Sequence, residues 1–139
     1  MVFGMAQRPA LALSAAFASL LALAGCGVPG VATDRYAGVP PGVQAAFDDS
    51  EPRAIVADDG NLALVTYGSS SCPPTVTGIR AEDAGTITLS LAESPNDVCT
   101  ADMAATTHVV PLPDEASGRP LTVHVVYTDM PWEFTIVAG

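Results

Sequence analysis

From Arg53 to Val137, apolar and polar residues alternate in short runs of period two, and turn-forming residues separate the runs. The clearest is Thr86-Ile87-Thr88-Leu89-Ser90-Leu91. Side chains of a strand point alternately to its two faces, so Ile87, Leu89 and Leu91 are predicted to face inward, and Thr86, Thr88 and Ser90 outward. A second run puts Leu121, Val123, Val125 and Tyr127 on one face and Thr122, His124 and Val126 on the other. Further strands are predicted at residues 53–57, 62–67, 75–80, 105–110 and 132–137. The first two flank Asp58-Asp59-Gly60-Asn61, which is hairpin-turn chemistry because Gly and Asn tolerate positive φ. Glu82-Asp83-Ala84-Gly85 supplies another turn, and Pro111 and Pro113 stop the fifth run. About seven short strands with almost no helical periodicity predict an all-β fold, an antiparallel β-sandwich of immunoglobulin-like type or a small barrel. The order of Cys72, Cys99 and Trp132 departs from the immunoglobulin pattern, in which the tryptophan lies between the cysteines.

The N-terminal third has a different pattern. Residues 27–50 are rich in Gly, Pro and Ala without sustained period, and read as a flexible tether, with a short helical turn over residues 43–47 whose Phe47 packs on the domain. Residues 10–24 are apolar apart from Ser14 and Ser19, and Arg8 is the one charge ahead of them. A spanning helix needs about 20 apolar residues. This run is shorter, and Gly25, Gly27, Pro29 and Gly30 break any helix beyond it. A positive start, an apolar core and small residues at its end make the layout of a secretory signal.

The run closes on Leu23-Ala24-Gly25-Cys26, which resembles the box of bacterial lipoproteins. The resemblance implies that the Cys26 thiol takes a diacylglyceryl group, that the chain is cut just before it, and that Cys26 starts the mature protein. The expected organisation is a signal peptide over residues 1–25, a lipidated tether over 26–52 and a β-domain over 53–139. The expected location is the extracytoplasmic face of the cell membrane. Two acyl chains, at about 0.8 kcal/mol per buried CH₂, suffice for stable anchoring.

Charge removes other routes to a surface. The chain carries 15 acidic and five basic residues, with no lysine. One arginine and no acid precede Cys26, leaving four against fifteen, a formal charge of −11, from Cys26 onward. Such a surface repels phosphate backbones, so nucleic acid is discounted as a partner. It offers no polybasic patch to anionic lipids either. The lack of lysine, with heavy use of Ala, Val, Gly, Pro, Asp and Thr, resembles proteins of high-GC bacteria such as actinobacteria.

The cysteines are Cys26, Cys72 and Cys99. If Cys26 carries lipid, the other two form an even pair in an exported chain and are predicted to form a disulfide. The loop closed would be about 28 residues, worth about 3.5 kcal/mol in the chain-entropy treatment. Zinc sites favour ligands paired at short spacing. Here the cysteines are isolated, and His108 and His124 are single, so no metal or other cofactor is expected.

Gly68-Ser69-Ser70-Ser71-Cys72-Pro73-Pro74 is the most distinctive internal stretch. A hydrolase would need one of Ser69, Ser70 and Ser71 beside a base, His108 or His124, yet no G-x-S-x-G is present. The plainer reading is a loop of small residues stapled by Cys72. The acidic pairs Asp48-Asp49, Asp58-Asp59 and Glu82-Asp83 match no calcium-loop pattern, and two of them fall in turns, which Asp stabilises through its side chain. The stretches GSSSCPP and CTADM, separated by a hairpin, resemble those of small secreted or lipid-anchored actinobacterial proteins over roughly residues 53–127. That resemblance implies a disulfide-stapled β-domain and brings no activity with it. The expectation is therefore a lipid-anchored, non-catalytic binding or envelope-accessory module. The rivals are an envelope hydrolase built on those serines and a carrier of an apolar ligand between two sheets.

Overall fold

The structure is a computed structural model that describes residues 30–45 and 50–139. The described residues form eight strands and no helix. In chain order these are β1 (Asp34–Ala37), β2 (Arg53–Val56), β3 (Leu62–Gly68), β4 (Thr75–Asp83), β5 (Thr86–Ala92), β6 (Ala104–Val110), β7 (Leu121–Tyr127) and β8 (Glu133–Ala138). They make two four-stranded sheets, ordered β1-β6-β3-β2 and β4-β5-β7-β8. The fold is thus all-β and sandwich-like, with no closed barrel.

Alternation places the core. Ile87, Leu89 and Leu91 of β5 are fully buried, as are Leu121, Val123 and Val125 of β7. They pack with Leu62 and Leu64 of β3, Val76 of β4 and Val110 of β6 in one apolar cluster. Each such side chain is worth about 1.5–3 kcal/mol relative to exposure. The predicted hairpin between β2 and β3 is formed: Gly60 has φ of +82°, and its N–H donates to Ala57 O at 2.9 Å. Asp59 Oδ1 accepts from the Asn61 N–H at 3.0 Å, which ties the turn through its side chain.

Three features differ from expectation. First, β1 lies within the segment expected to be a tether. Its four side chains are all exposed, so no apolar alternation marked it. Its backbone nevertheless pairs antiparallel with β6, from Asp34↔Val109 to Ala37↔Thr106. The chain then stays on the sheet, with Thr107 Oγ1 donating to Gly38 O at 2.6 Å and Pro40 buried. Of the helical turn expected over residues 43–47, Ala46 and Phe47 lie outside the described residues, and residues 43–45 are irregular.

Second, the pairing is not wholly antiparallel. β5 and β7 run parallel, from Thr86↔Thr122 to Leu91↔Tyr127. Parallel neighbours need a long crossover, and here the chain supplies it by passing through β6 in the facing sheet. This departs from the two antiparallel sheets of an immunoglobulin domain. Third, β4 runs on to Asp83 with register shifts between Val76 and Gly78 and between Ala81 and Asp83. Bulges of this kind bend a strand and raise its twist.

Candidate functional site

The parallel pairing sets the carboxyl ends of β5 and β7 side by side, and the end of β3 meets them. Beyond these ends the chain leaves its sheets in loops, and between the loops opens a cleft of about 360 Å³. Its walls include Tyr67 from β3, Tyr127 from β7, and Met130 and Trp132 from the β7–β8 turn. Glu93, Ser94 and Asn96 line it from the loop after β5, and Cys72 and Cys99 lie against it. No arginine or histidine is part of this lining.

The turn that carries Trp132 is fixed by backbone bonds. Tyr127 N–H donates to Trp132 O at 3.0 Å, and Thr128 N–H donates to Leu91 O at 2.8 Å. The Tyr127 and Trp132 rings meet edge to face, with centroids 5.8 Å apart and planes at 76°. Phe134 also meets Tyr127 edge to face, with centroids 6.4 Å apart and planes at 75°. Burial raises the pKa of the Tyr127 phenol above its ordinary value. Trp132 keeps 53 % of its surface exposed, which is high for a tryptophan. The Tyr67 hydroxyl is buried without a hydrogen-bond partner among the described residues.

The loops at this end are held together by Cys72–Cys99, with an S–S distance of 2.02 Å and Cα atoms 5.4 Å apart. The bridge joins the β3–β4 loop to the β5–β6 loop, and the three serines add a polar seam. Ser69 Oγ lies 2.9 Å from Thr100 Oγ1, and Ser70 Oγ and Ser71 Oγ each lie 3.3 Å from the same oxygen. Thr100 N–H donates to Ser71 Oγ at 2.9 Å, and Asn96 Nδ2 donates to Ser71 O at 2.6 Å. Asp102 accepts from the Thr100 hydroxyl and from the Ser70 N–H. Those bonds hold its carboxyl down at about pKa 2.

Neither histidine joins this seam. His108 sits in β6 opposite Leu64, four register positions from the Gly68↔Ala104 pair, or about 13 Å along the strand. Its side chain is buried, and Nε2 is 3.0 Å from Thr66 Oγ1. Burial, with Arg35 in second place, lowers its pKa to about 4. His124 Nδ1 pairs with Thr135 Oγ1 across β7 and β8 at 3.1 Å. The serines of the hydrolase reading are therefore bonded to the opposite loop, and neither histidine reaches them. Among the described residues no three His, Cys, Asp or Glu side chains gather as a metal-ligand set. Of the acidic pairs, Asp58-Asp59 lies in the β2–β3 turn, whereas Glu82-Asp83, expected in a turn, ends β4 and the turn is Ala84-Gly85; Asp48-Asp49 and Cys26 fall outside the described residues.

Sequence reasoning located the disulfide and the stapled loop but not the cleft. Its aromatic walls come from the end of β3 and, much later in the chain, from the end of β7 with the turn after it. The one signal that could have found it is Trp132 standing right after the turn-forming residues Asp129-Met130-Pro131. Comparison with protein-family models, with curated proteins and with solved structures finds no match.

Proposed function

We propose that this chain is lipidated at Cys26 on the extracytoplasmic face of the membrane, and that its β-domain is a non-catalytic binding module. The observation that carries the reading is the disulfide-stapled cleft: it holds aromatic rings and polar groups, and no histidine stands beside its serines. Acyl transfer by a serine needs a base within hydrogen-bond reach. Here the serine hydroxyls instead bond to Thr100 of the opposite loop, and the Ser70 N–H donates to Asp102. The module contacts the membrane through its lipid and not through its acidic surface.

Fractionation of expressing cells tests the anchor. The wild-type chain is expected in the membrane fraction with a diacylglyceryl group on Cys26 by mass spectrometry, and Cys26→Ala is expected to lose both. A mature chain starting elsewhere, without lipid, overturns this half of the proposal. A fluorophosphonate probe tests the other half, with no labelling of Ser69, Ser70 or Ser71 expected. Covalent labelling of any of them promotes the hydrolase. Binding is tested by capture of envelope material on immobilised wild-type domain, with loss of capture expected for Trp132→Leu. Capture that Trp132→Leu leaves unchanged removes the cleft from the binding role.

A further inference from the structure

We propose that the cleft is a cage for a small organic cation, with a methylated or quaternary ammonium head as the group best matched to it. This rests on the binding-module reading above and adds the chemistry of the ligand. Two rings set nearly at right angles, Tyr127 and Trp132, form a corner and not a flat platform. A corner suits a rounded group, whereas a planar sugar ring calls for one broad face. Aromatic faces carry negative potential and attract alkylated ammonium groups, whose weak hydration makes entry into such a corner cheap. Tyr67 and Met130 line the same cleft, and the thioether offers a soft, polarisable contact for methyl groups.

Charge points the same way. Glu93 is the carboxylate in the lining, and no basic side chain there competes with a bound cation. The Asp129 carboxylate stands next to it, accepting the Glu93 N–H at 3.1 Å. The field of the whole chain, with a formal charge of −10, draws cations and repels anions. A volume of about 360 Å³ takes such a head together with a short polar arm.

Trp132 is the sole tryptophan of the chain, so its fluorescence reports on this cleft directly. The experiment titrates the full mature chain at constant ionic strength with choline chloride, with tetramethylammonium chloride and with 3,3-dimethylbutan-1-ol, the uncharged isostere of choline. A saturable change is expected with both cations, with the neutral isostere weaker by about tenfold. Glu93→Gln, an exposed and isosteric change, is expected to weaken choline several-fold while leaving the thermal midpoint in place. Trp132→Leu, followed by calorimetry, is expected to abolish binding. Vesicles of phosphatidylcholine separate a lipid headgroup from a free ammonium compound as the source: a response to free choline alone assigns the free compound. A flat response to both cations overturns the cage, and so does an isostere that binds as well as choline. If the cations fail while a neutral disaccharide saturates the signal, the ligand class is wrong but the binding module stands. If Trp132→Leu also leaves envelope capture unchanged, the cleft has no binding role.

Discussion

His108 is an imidazole placed where water does not reach, with Thr66 as its hydrogen-bond partner and Arg35 and Asp34 near it on β1. Its pKa is lowered to about 4 in the fold, against about 6.5 in an unfolded chain. Between these values the unfolded state binds the proton and the folded state does not. The stabilisation is therefore complete above pH 6.5 and is lost as pH falls toward 4. The expected loss between pH 7 and pH 5 is about 2 kcal/mol, read by urea unfolding at the two pH values. His108→Gln is expected to flatten that slope; an unchanged slope assigns the effect to other groups. The carboxylates of Asp59, Asp102 and Asp129 are held below their ordinary range by hydrogen bonds, so they titrate outside this window. Gly118 shows a different constraint. A Cβ there would lie 2.7 Å from Ala84 O and 3.1 Å from Gly85 Cα, both backbone atoms of the β4–β5 turn. Gly118→Ala is expected to destabilise by about 1–3 kcal/mol, measured by the shift in denaturant midpoint. Neither constraint was visible in the sequence. His108 sits in a run, Ala-Thr-Thr-His-Val-Val, that does not say which face is buried, and Gly118 meets a turn some 30 positions earlier.

Elements whose faces differ in polarity were legible, because burial of one face needs a period of two. β5 and β7 are the cases, with Ile87, Leu89, Leu91, Leu121, Val123 and Val125 buried as predicted. β1 was not legible: Asp34-Arg35-Tyr36-Ala37 buries no side chain, and only its backbone bonds to β6 make it a strand. The parallel β5–β7 pair was hidden for a related reason, since pairing direction depends on where the intervening chain travels. β1 has a function of its own, because it covers an edge. An uncovered β6 would present free N–H and C=O groups to another chain. A domain starting at residue 53 lacks β1, together with the Thr33 N–H to Val109 O and Gly38 N–H to Ala105 O bonds that flank it. Such a domain is expected to unfold at lower denaturant than one starting at residue 30, and to form oligomers on size-exclusion chromatography. Equal midpoints and a monomeric profile for both would show that β1 is dispensable.

At the scale of the whole molecule, the ordered structure reaches close to the proposed lipid. Val31 N–H already donates to Val76 O at 2.9 Å, so whatever its conformation, the stretch from Cys26 to Val31 spans at most roughly 18 Å. A long flexible arm, as the Gly- and Pro-rich composition suggested, is thereby replaced by a short one. The domain, with −11 formal charges from Cys26 onward, would be held within about two Debye lengths of an anionic bilayer at physiological salt. Repulsion at that distance is mostly screened, and two acyl chains outweigh what remains of it. Without lipid, the acidic surface gives an anionic bilayer no electrostatic attraction. The chain starting at residue 27 is therefore expected to stay in the supernatant when sedimented with phosphatidylglycerol vesicles. Lowering the salt should not change this, because a longer screening length strengthens repulsion between like charges. The chain starting at a diacylglyceryl-modified Cys26 should move to the pellet at both salt concentrations. Sedimentation of the lipid-free chain, above all if it grew as salt fell, would reveal an attraction that its acidic surface does not explain, and would transfer the membrane contact from Cys26 to the domain.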